Sequence, residues 1–128
     1  MNISNNSGSS SLPQISSFGN NVYVVWQDTF FDTGGVRLDI VFSASNDNGL
    51  TFSVPINLTP TPGVRSENSQ LDSINNSVYV VWHDTSTPTP GFRPASFTKS
   101  DDNGATFDRP LALINVMNLG SIPKISVS

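Results

Sequence analysis

The chain has 128 residues, of which only 12% are charged, and its formal net charge is −4. This length suits one ordinary domain, and the lack of a basic surface argues against nucleic acid as a partner. There is no cysteine, which excludes disulfides and thiolate metal sites. No apolar run approaches the ~18 residues of a membrane span, so we expect no membrane insertion.

The predicted elements of the first half, in chain order, are four short strands. They cover residues 13–18, 22–26, 39–44 and 51–58, and a Gly-Asn-Asn turn joins the first two. In the second strand apolar side chains point to both sides, which is typical of a strand buried between two layers. A long loop rich in Gly, Thr and Phe follows that strand.

The second half repeats the first. Residues 21–29 (NVYVVWQDT) return as residues 77–85 (SVYVVWHDT), 56 positions later. The strands predicted in this copy cover residues 70–74, 78–82, 95–99 and 106–114. A fixed period of this length indicates stacked supersecondary units that cannot bury their faces alone.

Four-stranded antiparallel units of this length stack radially as propeller blades. We therefore predict an all-β fold with two four-stranded antiparallel β-propeller blades and an extra C-terminal strand. Because propellers close with about four to eight blades, this propeller is incomplete and needs other copies or blades. The expected boundaries are 1–11 for the end of a preceding blade or a linker, 12–67 for blade 1, 68–118 for blade 2, and 119–128 for the first strand of a further blade.

Each half also contains the motif Ser-x-Asp-x-Gly-x-Thr-Phe, between the third and the fourth predicted strand. Box 1 is SNDNGLTF at residues 45–52, and box 2 is SDDNGATF at residues 100–107. The Asp can accept hydrogen bonds from backbone amides of the turn, and the Gly supplies the positive φ that a tight hairpin needs. We assign a structural role in these turns to Ser45, Asp47, Gly49, Thr51, Phe52, Ser100, Asp102, Gly104, Thr106 and Phe107.

The two boxes resemble the Asp-box, or BNR repeat, of sialidases and related β-propellers. That family has Ser-x-Asp-x-Gly-x-Thr-Trp at the hairpin between the third and fourth strands of each blade, and both copies here carry Phe in place of Trp. The resemblance covers nearly the whole chain and implies a blade architecture. In the family the box is a structural turn that is remote from the catalytic centre.

The same resemblance makes a fragment of a sialidase-like glycosidase one alternative. Sialidases use an arginine triad, a Tyr–Glu nucleophile pair and an acid/base Asp. Here the four arginines are scattered over loops and strand ends, and the only Glu, Glu67, lies before a strand. Tyr23 and Tyr79 hold equivalent strand positions, which favours packing. We therefore predict a protein that is not an enzyme, without catalytic residues.

Six residues are candidates for ligand binding. Asp28 and Asp84 follow the two tryptophans at matching blade ends, where they either cap turns or belong to a ring of carboxylates at one mouth of the propeller. The aromatic residues of the long loops either cover a blade edge or form a platform for a glycan. The loop candidates are Phe30, Phe31, Phe92 and Arg93.

No cofactor or metal site is predicted. His83 is the only histidine, and Gln27 stands at its position in the first copy, which favours a hydrogen-bonded role at the strand end. The boxes are too short for a calcium loop, which needs six to eight oxygen ligands.

The leading hypothesis is a non-catalytic repeat module that recognises a glycan or a protein and associates with itself or with further blades of a longer chain. A structural subunit that exchanges its C-terminal strand into a ring or filament is the second hypothesis. Four N-glycosylation sequons favour the cell surface or the extracellular space. The first residues lack a signal peptide, so either a leader lies outside this segment or the protein stays in the cytoplasm.

Overall fold

The computed structural model describes residues 1–31, 37–85, 94–113 and 124–127. Within these ranges it contains eight strands and no helix, and hence no helical segment capable of crossing a membrane. The strands are β1 (Ser10–Phe18), β2 (Asn21–Asp28), β3 (Asp39–Ser45), β4 (Ile56–Asn57), β5 (Ser66–Ile74), β6 (Ser77–Asp84), β7 (Ala95–Ser100) and β8 (Leu111–Leu113). They form two antiparallel sheets, in the orders β1-β2-β3-β4 and β5-β6-β7-β8.

The predicted fold class is confirmed. The described residues are all-β, with two four-stranded antiparallel sheets that do not close into a barrel, as expected for blades of an incomplete propeller. We call β1–β4 blade 1 and β5–β8 blade 2.

Both blades contain the same β-bulge in their first strand. The pairing register shifts between Ser11 and Gln14 in blade 1 and between Glu67 and Gln70 in blade 2. A residue with positive φ lies at the equivalent place in each bulge, Leu12 at 48° and Asn68 at 56°. Such a bulge bends the strand and increases its twist, so the two blades are shaped alike down to a local irregularity.

The fourth strand of each blade is shorter than predicted. Residues 51–55 and 106–110 are not part of the ladder, because β4 begins immediately after Pro55 and β8 immediately after Pro110. Proline has no backbone N–H to donate, so regular pairing starts only beyond it. In each blade a backbone hydrogen bond 2.8 Å long joins the preceding segment to the third strand, from Ser53 N to Ala44 O in blade 1 and from Asp108 N to Lys99 O in blade 2.

The blades pack face to face around one hydrophobic core. We call the sides of the sheets that meet here the inner faces, and the opposite sides the outer faces. Blade 1 contributes its second and third strands and Leu58, which directly follows β4, whereas blade 2 contributes its first and second strands. The core residues are Tyr23, Val25, Ile40, Phe42 and Leu58 of blade 1, with Leu71, Val78, Val80 and Trp82 of blade 2.

The segments near the two ends of the chain lie against the blades. Residues 1–4 line a cleft with Val24 and Trp26 on the outer face of blade 1. Near the other end, Val127 N donates a hydrogen bond of 2.8 Å to Asp72 Oδ2 of β5. Ser16, which holds the position of Asp72 in blade 1, bonds to Ser73 of β5 at 2.7 Å. The first strands and the C-terminal segment thus follow one another at a repeated spacing. Of the predicted extra strand, residues 124–127 are not in a strand, and residues 119–123 and 128 lie outside the described residues.

Candidate functional site

Box 1 is a turn closed by its own Ser and Asp side chains. Ser45 Oγ donates to Asp47 Oδ1 at 2.7 Å and accepts the amide of Gly49 at 2.8 Å. Asp47 Oδ1 also accepts the amide of Thr51 at 2.9 Å, and its other oxygen accepts the Thr51 hydroxyl. Each polar residue of the motif therefore satisfies a backbone or side-chain group inside the turn, as an Asx-turn does.

Box 2 repeats this network. Ser100 Oγ bonds to Asp102 Oδ1 at 2.6 Å, and Asp102 accepts the amide of Thr106 at 2.8 Å together with its hydroxyl. Hydrogen bonds from Thr51 and Ser45 lower the pKa of Asp47 to about 2, and those from Ser100 and Thr106 lower the pKa of Asp102 to about 2. Both carboxylates are therefore ionised acceptors throughout the physiological range.

These pKa values predict that acid destabilises the fold between about pH 4 and pH 2. An unfolded Asp has a pKa of about 3.9, above the folded value, so the stabilisation is complete above about pH 4 and is lost as pH falls through about 2. We expect the Asp47→Asn/Asp102→Asn variant to show a shallower fall in the free energy of unfolding across this window. Urea unfolding at a series of pH values measures it, and equal slopes in variant and wild type would contradict the assignment.

The two boxes differ in what they contact. Box 2 sits on blade 1, where the buried Gly104 lies so close to Phe42 that a Cβ atom would come within 2.6 Å of the ring. Gly49 of box 1 has the same backbone conformation, with φ of 83° against 82° for Gly104. A Cβ atom there would meet nothing closer than Val22 Cγ2 at 4.0 Å. The same turn therefore serves as an interblade contact in blade 2 and is open in blade 1.

Aromatic and amide groups complete the contact of box 2 with blade 1. Phe107 meets the ring of Phe42 edge-on, with the ring centroids 4.8 Å apart. Asn103 Oδ1 accepts hydrogen bonds from the Tyr23 hydroxyl at 3.3 Å and from Asn21 Nδ2 at 3.2 Å. Burial raises the pKa of Tyr23, which keeps this hydroxyl a donor. Box 2 thus forms a hairpin of blade 2 and also packs against the surface of blade 1.

In each blade an Asp carboxylate, Asp28 or Asp84, accepts hydrogen bonds from one Ser and one Trp side chain. We call this group the Ser–Trp–Asp bracket. In blade 1 the Asp28 carboxylate accepts Trp26 Nε1 at 2.9 Å and Ser10 Oγ at 2.7 Å. In blade 2 the equivalent groups are Trp82 Nε1 and Ser66 Oγ, at the same two distances from Asp84 Oδ1. The structure thus gives both aspartates a packing role at the blade end. Neither serine was predicted from the sequence, although the 56-residue period would have revealed the pair.

Asp28 has further partners that limit what it can bind. The carboxylate is fully buried and also accepts the amide of Phe30 at 2.8 Å, as a turn cap does, and Asn6 Nδ2 at 3.2 Å. Burial raises the pKa of Asp28, but its hydrogen bonds from Trp26, Phe30, Ser10 and Asn6 outweigh that effect and leave the pKa below its usual value.

The loop aromatics of blade 1 line an apolar cleft. Phe30 and Phe31 pack edge to face with centroids 5.3 Å apart, and both are exposed. Together with Phe52 and residues 1–6 they border a cleft of about 600 Å³. The other two loop candidates, Phe92 and Arg93, lie outside the described residues.

The two tyrosines and the only Glu of the sequence take part in contacts within the fold. The Tyr23 hydroxyl donates to box 2, and Tyr79 stacks on Phe97. Glu67 pairs with Arg65 at 3.0 Å. Among residues 1–31, 37–85, 94–113 and 124–127, no three acidic or histidine side chains come together as a metal site would require.

Apolar residues at equivalent positions of the two blades are buried on the inner face of one blade and exposed on the outer face of the other. Leu58, on the inner face of blade 1, is 6% exposed, whereas Leu113, 55 positions later on the outer face of blade 2, is 41% exposed. Leu71, on the inner face of blade 2, is 9% exposed, whereas Ile15 at the equivalent place on the outer face of blade 1 is 69% exposed. The candidate functional surface is therefore this pair of outer faces.

Neither the protein-family models nor the curated proteins include a match to this chain.

Proposed function

We propose that this chain is a non-catalytic repeat module of the Asp-box propeller type, which recognises β-blades through its outer faces and thereby associates with itself. Its place of action in this proposal is outside the cell or at the cell surface. The observation that carries the proposal is the repeated surface: equivalent leucine and isoleucine positions are buried between the blades and exposed on the outer faces. Exposed apolar surface with this composition is typical of an interface.

The composition of the outer faces supports association with another blade. An exposed Ile or Leu gains about 1.5–3 kcal/mol when it becomes fully buried, and Ile15, Leu111 and Leu113 together offer several such gains. The strand positions on the outer face of blade 2 correspond one to one to those on the inner face of blade 1, which already holds a blade. A second blade of the same kind is therefore its natural complement.

The expected result is a mass that rises with protein concentration. Size-exclusion chromatography coupled to light scattering, at concentrations from about 1 μM to 1 mM, should show particles that contain two or more copies of the 13.7 kDa chain. A folded particle of constant 13.7 kDa over this range would overturn the proposal. Far-UV circular dichroism on the same fractions verifies that the chain is folded.

Glycan recognition is a second candidate function, favoured by the cleft beside Phe30 and Phe31. The two rings are exposed and pack edge to face, and Asn2 and Asn5 are among the residues that line the same cleft. A sugar ring stacks on an aromatic face and uses neighbouring amides as hydrogen-bond partners.

A further inference from the structure

We propose that two copies of the chain bind head to tail, with box 1 of one copy seated on the Tyr79–Phe97 pair of the other. This inference rests on the self-association proposed above and names the surfaces that form the contact. We call box 1 the plug and the Tyr79–Phe97 pair the seat.

The chain already contains one such contact, between its own blades. Tyr23 and Phe42 stack with ring centroids 6.2 Å apart and an angle of 22° between their planes. Box 2 covers this pair: Gly104 lies against the Phe42 ring, Phe107 and Phe42 pack edge to face, and Asn103 accepts a hydrogen bond from the Tyr23 hydroxyl. We call this interblade contact the template.

The seat repeats the covered pair on the outer face of blade 2. Tyr79 and Phe97 lie 56 and 55 positions after Tyr23 and Phe42, and they stack in the same way, at 6.3 Å and 20°. Both are partly exposed, whereas Tyr23 and Phe42 are fully buried. Leu111 pairs with Phe97 across the sheet and extends the apolar surface.

The plug repeats box 2 in blade 1, where Gly49 lies nearest to Val22 of the outer face. Its internal hydrogen bonds match those of box 2, and Asn48 and Gly49 have φ values of 61° and 83°, against 59° and 82° for Asn103 and Gly104. Gly49 has open space before it. When box 1 binds the seat as box 2 binds blade 1, Asn48 Oδ1 meets the Tyr79 hydroxyl and Phe52 packs edge to face with Phe97.

One of the differences between the seat and the template adds charge complementarity. Ala44, which lies beside Gly104 in the template, is replaced by Lys99 in blade 2. Lys99 pairs with Asp101 at 2.8 Å, and the plug brings the ionised carboxylate of Asp47 to the same edge. Opposite charges at the rim of a contact favour encounter and the correct register.

The end segments lie beside the plug and the seat rather than on Gly49 or the Tyr79–Phe97 pair, and in the proposed contact they give way to the second copy: residues 1–6 border a cleft with Phe52 of the plug. Residues 1–4 lie over Val24 and Trp26, and Gly49 keeps its open space. The C-terminal segment meets β5 at Asp72, whereas the seat lies on β6 and β7. Since the plug is in blade 1 and the seat is on the outer face of blade 2, the contact is heterologous and each copy can bind two others.

Complementation between two blocked variants tests the proposal. Phe52→Arg blocks the plug and Phe97→Arg blocks the seat, so each variant alone should lose association by about 30-fold or more, as expected for a hot-spot residue. An equimolar mixture retains one intact plug and one intact seat, and it should form a particle of two chains and no larger one. Light scattering with isotope-labelled mass spectrometry identifies the mixed pair.

Other outcomes separate this inference from the proposed function. A wild type that stays monomeric overturns both, whereas a wild type that associates while either variant associates equally well overturns the inference alone. A mixture that stays monomeric also overturns it. If an Arg variant fails to fold, Tyr79→Phe and Asn48→Gly remove only the two ends of one hydrogen bond, and each should weaken association by about three- to tenfold.

Removal of residues 119–128 distinguishes the plug-and-seat contact from strand exchange. Within the chain, the first strands of the two blades lie side by side, and the C-terminal segment lies beside β5 in the same way. It therefore occupies the place that the first strand of a second copy would take. Its removal should leave plug-and-seat association intact or strengthen it. Loss of association with blades that remain folded would overturn the inference in favour of strand exchange.

Discussion

Gly104→Ala is expected to lower the free energy of unfolding by about 2–5 kcal/mol, whereas Gly49→Ala should lower it by only about 1–2 kcal/mol. The backbone conformation is the same at the two glycines, and a left-handed residue other than Gly costs about 1–2 kcal/mol. Gly104 carries a further cost of about 1–3 kcal/mol, because a Cβ atom there would come within 2.6 Å of the Phe42 ring and overpack the interblade contact.

Urea unfolding of the two variants measures the difference, at a protein concentration where light scattering shows the monomer. Gly49→Ala is the matched control, since it changes the same residue of the same turn and leaves the interblade contact alone. Equal losses would mean that box 2 does not support the blade interface, and would remove the template on which the plug-and-seat contact is built.

Much of this architecture can be read from the sequence, because the repeat gives each pattern twice. In the second strand of each blade, successive apolar side chains point to opposite faces of the sheet. In both boxes, Asp and Gly stand at the positions that a hairpin requires. Such local patterns depend on neighbours in the chain. They therefore predict strands, turns and the fold class, which the structure confirms.

What the sequence does not predict depends on neighbours in space. Box 1 and box 2 have the same motif, yet only Gly104 is pressed against an aromatic ring, since blade 1 lies beneath box 2. Similarly, the Ser10–Trp26–Asp28 bracket joins two strands across a sheet, and its members are ordinary turn and strand residues in the sequence. The predicted fourth strands are too long because regular pairing begins only after Pro55 and Pro110.

Phe42→Ala is the second large effect that we expect, a loss of about 3–5 kcal/mol in the free energy of unfolding. Phe42 is fully buried and contacts Tyr23 and Phe107, so its removal leaves a cavity in the core between the blades. Phe97→Ala changes the equivalent residue of blade 2, which is only partly buried in a single chain. Its loss should be about 1–2 kcal/mol, because less apolar surface returns to water.

A double-mutant cycle then connects both predictions to one contact. In the Phe42→Ala background the ring that would collide with a Cβ atom at position 104 is gone, so Gly104→Ala should cost only the left-handed backbone strain of about 1–2 kcal/mol. The expected coupling energy is therefore about 1–3 kcal/mol, within the range found for residues in contact. Urea unfolding of the four proteins gives this value. Additive losses would show that Gly104 and Phe42 stabilise the fold independently, and that box 2 is a hairpin without a role between the blades.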